Sequence, residues 1–206
     1  MKNLKIKVCG MKYPENMKEL LNLQPDYMGF IFYSQSQRNF TGELPEICFG
    51  KTKKTGVFVN ADLDKVLDIA RRYKLDVIQL HGSESPVFCD EIGKQGYEVI
   101  KAFAVDNDFN FSRCSFYDEY VDLFLFDAKG KLPGGNGVVF NWDKLQEYYL
   151  DKPFLLSGGI GMNALEAIQK FSHPQFYGVD VNSGFELEPG LKNIDELRVF
   201  IEKIKE

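Results

Sequence analysis

Short apolar runs alternate along this chain with stretches whose apolar positions recur at helical spacing. Runs of that kind suit strands buried on both faces, as in a parallel sheet covered by helices. Lys5-Ile6-Lys7-Val8-Cys9 reads as a strand of alternating polarity ending at Gly10, after which Pro14 and Glu15 open a helix with Met17, Leu20 and Leu21 on one face. Tyr27 to Phe32 predicts a second strand, the polar run Tyr33 to Asn39 its loop, and Leu44 to Phe49 its helix. The third strand, Gly56 to Val59, leads through Asn60-Ala61-Asp62 as a cap into a helix with Leu63, Val66, Leu67 and Ala70 on one face. Val77 to Leu80 is the fourth strand and ends in His81-Gly82, with Ser83 or Ser85 capping a helix through Phe88 and Ile92.

Tyr97 to Phe103 supplies the fifth strand, and the aperiodic segment Asp106 to Tyr120 predicts a short or irregular fifth helix. Leu123 to Phe126 is the sixth strand; it ends on Asp127 and runs into a glycine-dense loop before a helix at Trp142 to Tyr149. Pro153 to Ser157 is the seventh, with the loop Gly158-Gly159-Ile160-Gly161 and a helix from Ala164 to Phe171. Phe176 to Val181 is the eighth, followed by a closing helix from Ile194 to Ile204 in which Asn193 and Glu196 are spaced as a capping box. Eight strands alternating with about eight helices, without linker or close internal repeat, predict one α/β domain over residues 1–206. Its simplest closed form is a (β/α)8 TIM barrel, eight parallel strands with helices outside. An open doubly wound sheet is the alternative, but it would carry its glycine-rich loop after the first strand rather than the seventh.

Charge and cysteine usage narrow the function classes. A net charge of −5 argues against nucleic-acid binding, and the one basic cluster, Lys51 to Lys54, reads as a solvated approach to the third strand. The apolar runs are too short to span a bilayer and the opening residues lack a signal-peptide core, which predicts a cytoplasmic protein without a membrane partner. Cys9, Cys48, Cys89 and Cys114 are scattered, with no C-x-x-C pair and no histidine at ligand spacing, so no metal is expected.

In a barrel of this kind the active site lies at the C-terminal strand ends, and the loops after strands seven and eight often bind phosphate. Ser157-Gly158-Gly159 and Asp180-Val181-Asn182-Ser183-Gly184 both fit that use, through backbone N–H groups and small polar side chains. The other strand ends present Cys9, Arg38, His81 and Asp127. Each has a plainer reading alone: Cys9 as a small buried residue, His81 as a structural hydrogen bonder, Arg38 as solvated, Asp127 as a turn former. Strands one and six are three steps apart around an eight-stranded ring, so Cys9 and Asp127 face each other across the mouth. A base and an acid on opposite sides of one substrate suit a proton-shuttling isomerisation.

Lys7-Val8-Cys9-Gly10, Gly29-Phe30-Ile31-Phe32 with Ser36-Gln37-Arg38, Gly56 to Asn60, Gln79-Leu80-His81-Gly82, Phe126-Asp127, Gly134 to Gly137, Ser157-Gly158-Gly159 and Gly178 to Val181 together resemble the phosphoribosylanthranilate isomerase family of tryptophan biosynthesis. The resemblance covers almost the whole chain. It implies an Amadori rearrangement of N-(5-phosphoribosyl)anthranilate to 1-(2-carboxyphenylamino)-1-deoxyribulose 5-phosphate, without metal or organic cofactor, by a monomer or homodimer. It further implies Asp127 as general acid, Cys9 as general base, Arg38 as the partner of the substrate carboxylate and His81 in the substrate pocket. Gly158, Gly159, Asp180, Asn182 and Ser183 match the phosphate cup, and Gly134, Gly135, Asn136 and Gly137 a lid loop. That chemistry needs surroundings that favour ionisation of Cys9 and partly desolvate Asp127. Asn182 replaces a common Ser, Asn136 fills the variable lid position, and the usual Pro-x-Asn start of helix seven is absent. The rivals are a related phosphoribosyl isomerase or sugar-phosphate epimerase and a catalytically silent phosphosugar-binding barrel; a metal-dependent epimerase is disfavoured with only two histidines, one of them His173 before Pro174.

Overall fold

A computed structural model describes residues 4–128 and 142–205. Eight parallel strands close on themselves in sequence order: β1 (Lys5–Val8), β2 (Tyr27–Ile31), β3 (Lys53–Phe58), β4 (Val77–Leu80), β5 (Glu98–Val105), β6 (Leu123–Ala128), β7 (Phe154–Ser157) and β8 (Phe176–Val181). The expected TIM barrel is therefore the observed one. Outside it lie α1 (Pro14–Leu21), α2 (Leu63–Tyr73), α3 (Pro86–Lys94), α4 (Leu165–Lys170) and α5 (Ile194–Lys205). Single 3₁₀ segments stand where the fifth and sixth helices were expected, at Phe111–Phe116 and Trp142–Glu147.

The outer core is aromatic. Phe126 packs against Phe154, Tyr148 and Phe111 with ring centroids 5.0, 5.1 and 5.3 Å apart, which fills the space a regular helix would otherwise occupy. A smaller inner core of Val77, Ile100, Ala102, Leu123, Leu125 and Leu155 fills the barrel itself. β8 closes on β1 with Lys5 opposite Gly178 and Lys7 opposite Asp180. A Cβ at Gly178 would lie 2.1 Å from the Lys5 carbonyl oxygen, so this seam tolerates only glycine.

The helix expected at Leu44 to Phe49 does not form; that stretch is irregular. Pro45 holds Leu44 extended, and Gly50 follows before a full turn could propagate. Ser85 is the cap of α3, its Oγ accepting from Phe88 N at 3.2 Å, whereas Asp62 stands at the N-cap of α2 without a side-chain cap bond. Asn193 and Glu196 form a variant of the expected capping box: Asn193 Oδ1 accepts from Glu196 N at 3.3 Å, and its Nδ2 donates to the Glu196 carboxylate at 3.2 Å. An antiparallel hairpin absent from the sequence reading, β9 (Glu186–Glu188) and β10 (Leu191–Lys192), follows β8. Gly134, Gly135, Asn136 and Gly137, the expected lid, lie outside the described residues. No helix among the described residues is long and apolar enough to cross a membrane.

Candidate active site

The C-terminal strand ends surround a solvent-open pocket with about 590 Å³ of empty space, lined in part by Cys9, His81, Asp127, Gly158, Asp180 and Asn182. β1 delivers Cys9 at its end, where the backbone N–H bonds Val181 O at 2.9 Å, and β6 delivers Asp127 between Ala104 and Ser157. Cys9 is buried, while the Asp127 side chain keeps 35% of its surface in solvent.

The surroundings of Cys9 correct one expectation. Burial pushes its thiol above the usual range; Lys7 and Lys192 pull it down and Asp180 pushes it up, leaving the balance raised rather than lowered. Two cations near the sulfur have the expected sign, but burial outweighs them.

His81 Nε2 lies 3.5 Å from Asp127 Oδ2, and its Nδ1 is 2.9 Å from the amide nitrogen of Gln79. With that amide as donor, Nδ1 accepts and the ring hydrogen sits on Nε2, aimed at Asp127. The other end of Gln79 is unusual: its Oε1 is buried without a hydrogen-bond partner among the described residues. A buried acceptor of this kind is costly until a ligand donor meets it.

Beside Asp127, Gly158 and Gly159 take φ values of 106° and 63°, a left-handed pair that turns the chain sharply at the end of β7. A 3₁₀ turn at Met162–Ala164 precedes α4, which starts one residue later than expected. Ser183 begins another 3₁₀ turn beside the pocket. Asn182 Oδ1 accepts from Lys192 Nζ at 2.7 Å, so only its amide nitrogen is suited to an anion. Asp180, expected in the phosphate cup, lines the pocket floor. Its carboxylate is buried in the barrel and accepts from Lys7 Nζ at 2.9 Å, a placement that does not suit an anion site.

Arg38 is held as a fork. Its Nε lies 2.9 Å from both oxygens of Glu186, and Glu186 also accepts from Lys192 Nζ at 2.7 Å and Gly190 N at 3.0 Å. Burial alone would raise the Glu186 carboxyl, yet the bonds from Arg38 and Lys192 bring it down to about 2. Arg38 therefore reaches the site mouth already anchored, with 24% of its side chain exposed. His173 is structural: its ring is buried, with Nε2 3.1 Å from Tyr148 O and Nδ1 accepting from Gln175 N.

The model of the N-(5'-phosphoribosyl)anthranilate isomerase family matches residues 6–203. The chain belongs to this family. A relative of that name from Parabacteroides distasonis is 46% identical over 205 residues, covering 97% of this chain and 92% of the relative. The crystal structure of the isomerase from Thermotoga maritima superposes with a TM-score of 0.81 at 33% identity over 98% of both chains. A second isomerase structure, a complex with reduced 1-(o-carboxyphenylamino)-1-deoxyribulose 5-phosphate, has a TM-score of 0.78 at 29% identity, again over 98% of both chains.

Within the family frame, four site residues escaped the sequence reading: Lys7, Gln79, Glu186 and Lys192. Lys7 left a signal, since a residue two before Cys9 on a strand shares its face. Gln79 left a weaker one, as the lone polar residue inside Val77 to Leu80. Glu186 left none, because Arg38 lies 148 residues away, and Lys192 left none, because the hairpin that brings it to Glu186 and Asn182 was not expected.

Proposed function

We propose that this isomerase of tryptophan biosynthesis converts N-(5'-phosphoribosyl)anthranilate to 1-(2-carboxyphenylamino)-1-deoxyribulose 5-phosphate with Asp127 as acid and Cys9 as base. The observation that carries the assignment is that both groups line one pocket that also holds the left-handed Gly158-Gly159 loop, next to Asp127. The backbone N–H groups of that loop, with Ser183 and the Asn182 amide, take the substrate phosphate. Arg38, braced on Glu186, presents its remaining N–H groups to the anthranilate carboxylate. His81 and Gln79 hold the sugar between acid and base.

Asp127 donates its proton to the furanose ring oxygen as the ring C–O bond breaks, and the nitrogen lone pair forms an iminium. The iminium acidifies the adjacent sugar C–H, and the Cys9 thiolate takes that proton. The resulting enolamine tautomerises to the ketone, so protons and electrons balance without an outside oxidant or reductant. A free thiol at Cys9 suits a reducing compartment, and we place the protein in the cytoplasm.

Loss of substrate fluorescence in the presence of the purified protein tests the reading. The wild type should turn over, and Cys9→Ala and Asp127→Asn should each lower kcat by about 10²–10⁴. A wild type that binds the phosphosugar without turnover would make the barrel a silent binder, and near-normal turnover by Cys9→Ala would remove the base.

A further inference from the structure

Lys7 and Asp180 are both buried in the pocket floor, yet the proton transfers above use neither. Lys7 stands two residues before Cys9 on the same face of β1, and the β1–β8 register sets it opposite Asp180. Its Nζ donates to Asp180 Oδ1 at 2.9 Å, and its charge acts on the Cys9 thiol. Its side chain has no solvent exposure. An ammonium cut off from water needs anionic partners; here one is permanent and the other exists only when Cys9 is ionised.

The other charges around the sulfur are less suited to that task. Lys192, from β10, spends its Nζ on Glu186 and on both Asn182 oxygens. Arg38, from the loop after β2, is forked onto Glu186. His81 at the end of β4 and Asp127 at the end of β6 face Asp180 across the pocket. Lys7 is the fully buried cation on the strand that ends at Cys9, and of the cations around the sulfur it acts on the thiol most strongly.

We propose that Lys7 is a positioning residue that carries the ionised form of Cys9, with Asp180 as the competing anion that shares its ammonium. While Cys9 is a thiol, the Lys7 ammonium belongs to Asp180; once the thiolate forms, it bridges both anions. Lys7 thus promotes the basic form and Asp180 restrains it, so the two residues act on Cys9 with opposite sign. This rests on Cys9 as the base.

The test is the pH dependence of Cys9 alkylation by iodoacetamide, followed by mass spectrometry of its peptide because the exposed Cys48 reacts as well. Lys7→Met should raise the midpoint by about one unit or more, which slows alkylation below the midpoint about tenfold. Asp180→Asn should lower it by about one unit, and Lys7→Arg, which keeps the charge, should restore most of the wild-type profile. An unmoved midpoint in Lys7→Met, or an upward move in Asp180→Asn, overturns the proposal. Should Lys7→Met fail to fold, the sign of the Asp180→Asn shift decides alone. Alkylation requires no turnover, so its failure leaves Cys9 as base intact, whereas active Cys9→Ala would remove the base while the titration stands.

Discussion

Replacing Glu186 with glutamine removes one negative charge from between Arg38 and Lys192. The Glu186 side chain is only 5% exposed, so solvent screens it little. Its folded carboxyl sits at about 2 against an ordinary 4.5, a depression worth about 3 kcal/mol at neutral pH. Part of that is returned through Lys192, whose ammonium burial pulls below its usual range despite Glu186. Glutamine leaves this fully buried cation without a countercharge, so a net loss of about 2–3 kcal/mol is expected at pH 7. Because the folded pKa is the lower one, the contribution is complete above the unfolded value and fades as pH falls through it toward about 2. The gap between wild type and Glu186→Gln should therefore narrow by about 1 kcal/mol between pH 7 and pH 3.5. Urea unfolding of both proteins at the two pH values measures it. A gap below about 1 kcal/mol at pH 7, or one that stays constant with pH, would refute the electrostatic account.

Arg38→Met should chiefly raise KM for the phosphoribosyl substrate, and an unchanged KM in steady-state assays would remove its carboxylate role. Gly178→Ala drives a methyl group onto the Lys5 carbonyl in the closing seam and should cost about 3 kcal/mol or more, read as a lowered urea midpoint; a wild-type midpoint would mean that β1 and β8 slide apart easily. Phe126→Ala opens the aromatic cluster behind the catalytic strand and should cost about 3–5 kcal/mol in the same assay, with a smaller loss showing that Tyr148 and Phe154 collapse into the gap.

Hydrophobic patterning located the barrel strands because a strand buried on both faces must be apolar wherever it lies, whatever its neighbours are. Val77–Leu80 and Phe176–Val181 coincide with their expected bounds for that reason. Helices were less legible. Leu44 to Phe49 has apolar residues at helical spacing, but Pro45 and Gly50 leave too few residues to nucleate a turn. Cys9, His81, Asp127, Gly158 and Gly159 could be grouped because barrel topology brings all strand ends to one rim. Asp180 lines the same pocket, but the partner of its carboxylate could not be read in that way. Its direction depends on Lys7, 173 residues away, and period-two alternation cannot say which face of a barrel strand carries a buried charge. Glu186 likewise looks like an ordinary hairpin acid until Arg38 and Lys192 are placed beside it.

The seam between β1 and β8 joins the first barrel strand to be synthesised with the last barrel strand. At about 5–20 residues per second, a ribosome needs on the order of ten seconds or more to travel from one to the other. Throughout that interval the nascent chain holds Cys9 and Lys7 without the strand that supplies Asp180 and the final anion loop. The earlier strands can pair beforehand, but the pocket lacks Asp180, Asn182 and Ser183 until β8 docks. The pocket is therefore completed in one step, and a chain that ends before β8 is expected to show no activity.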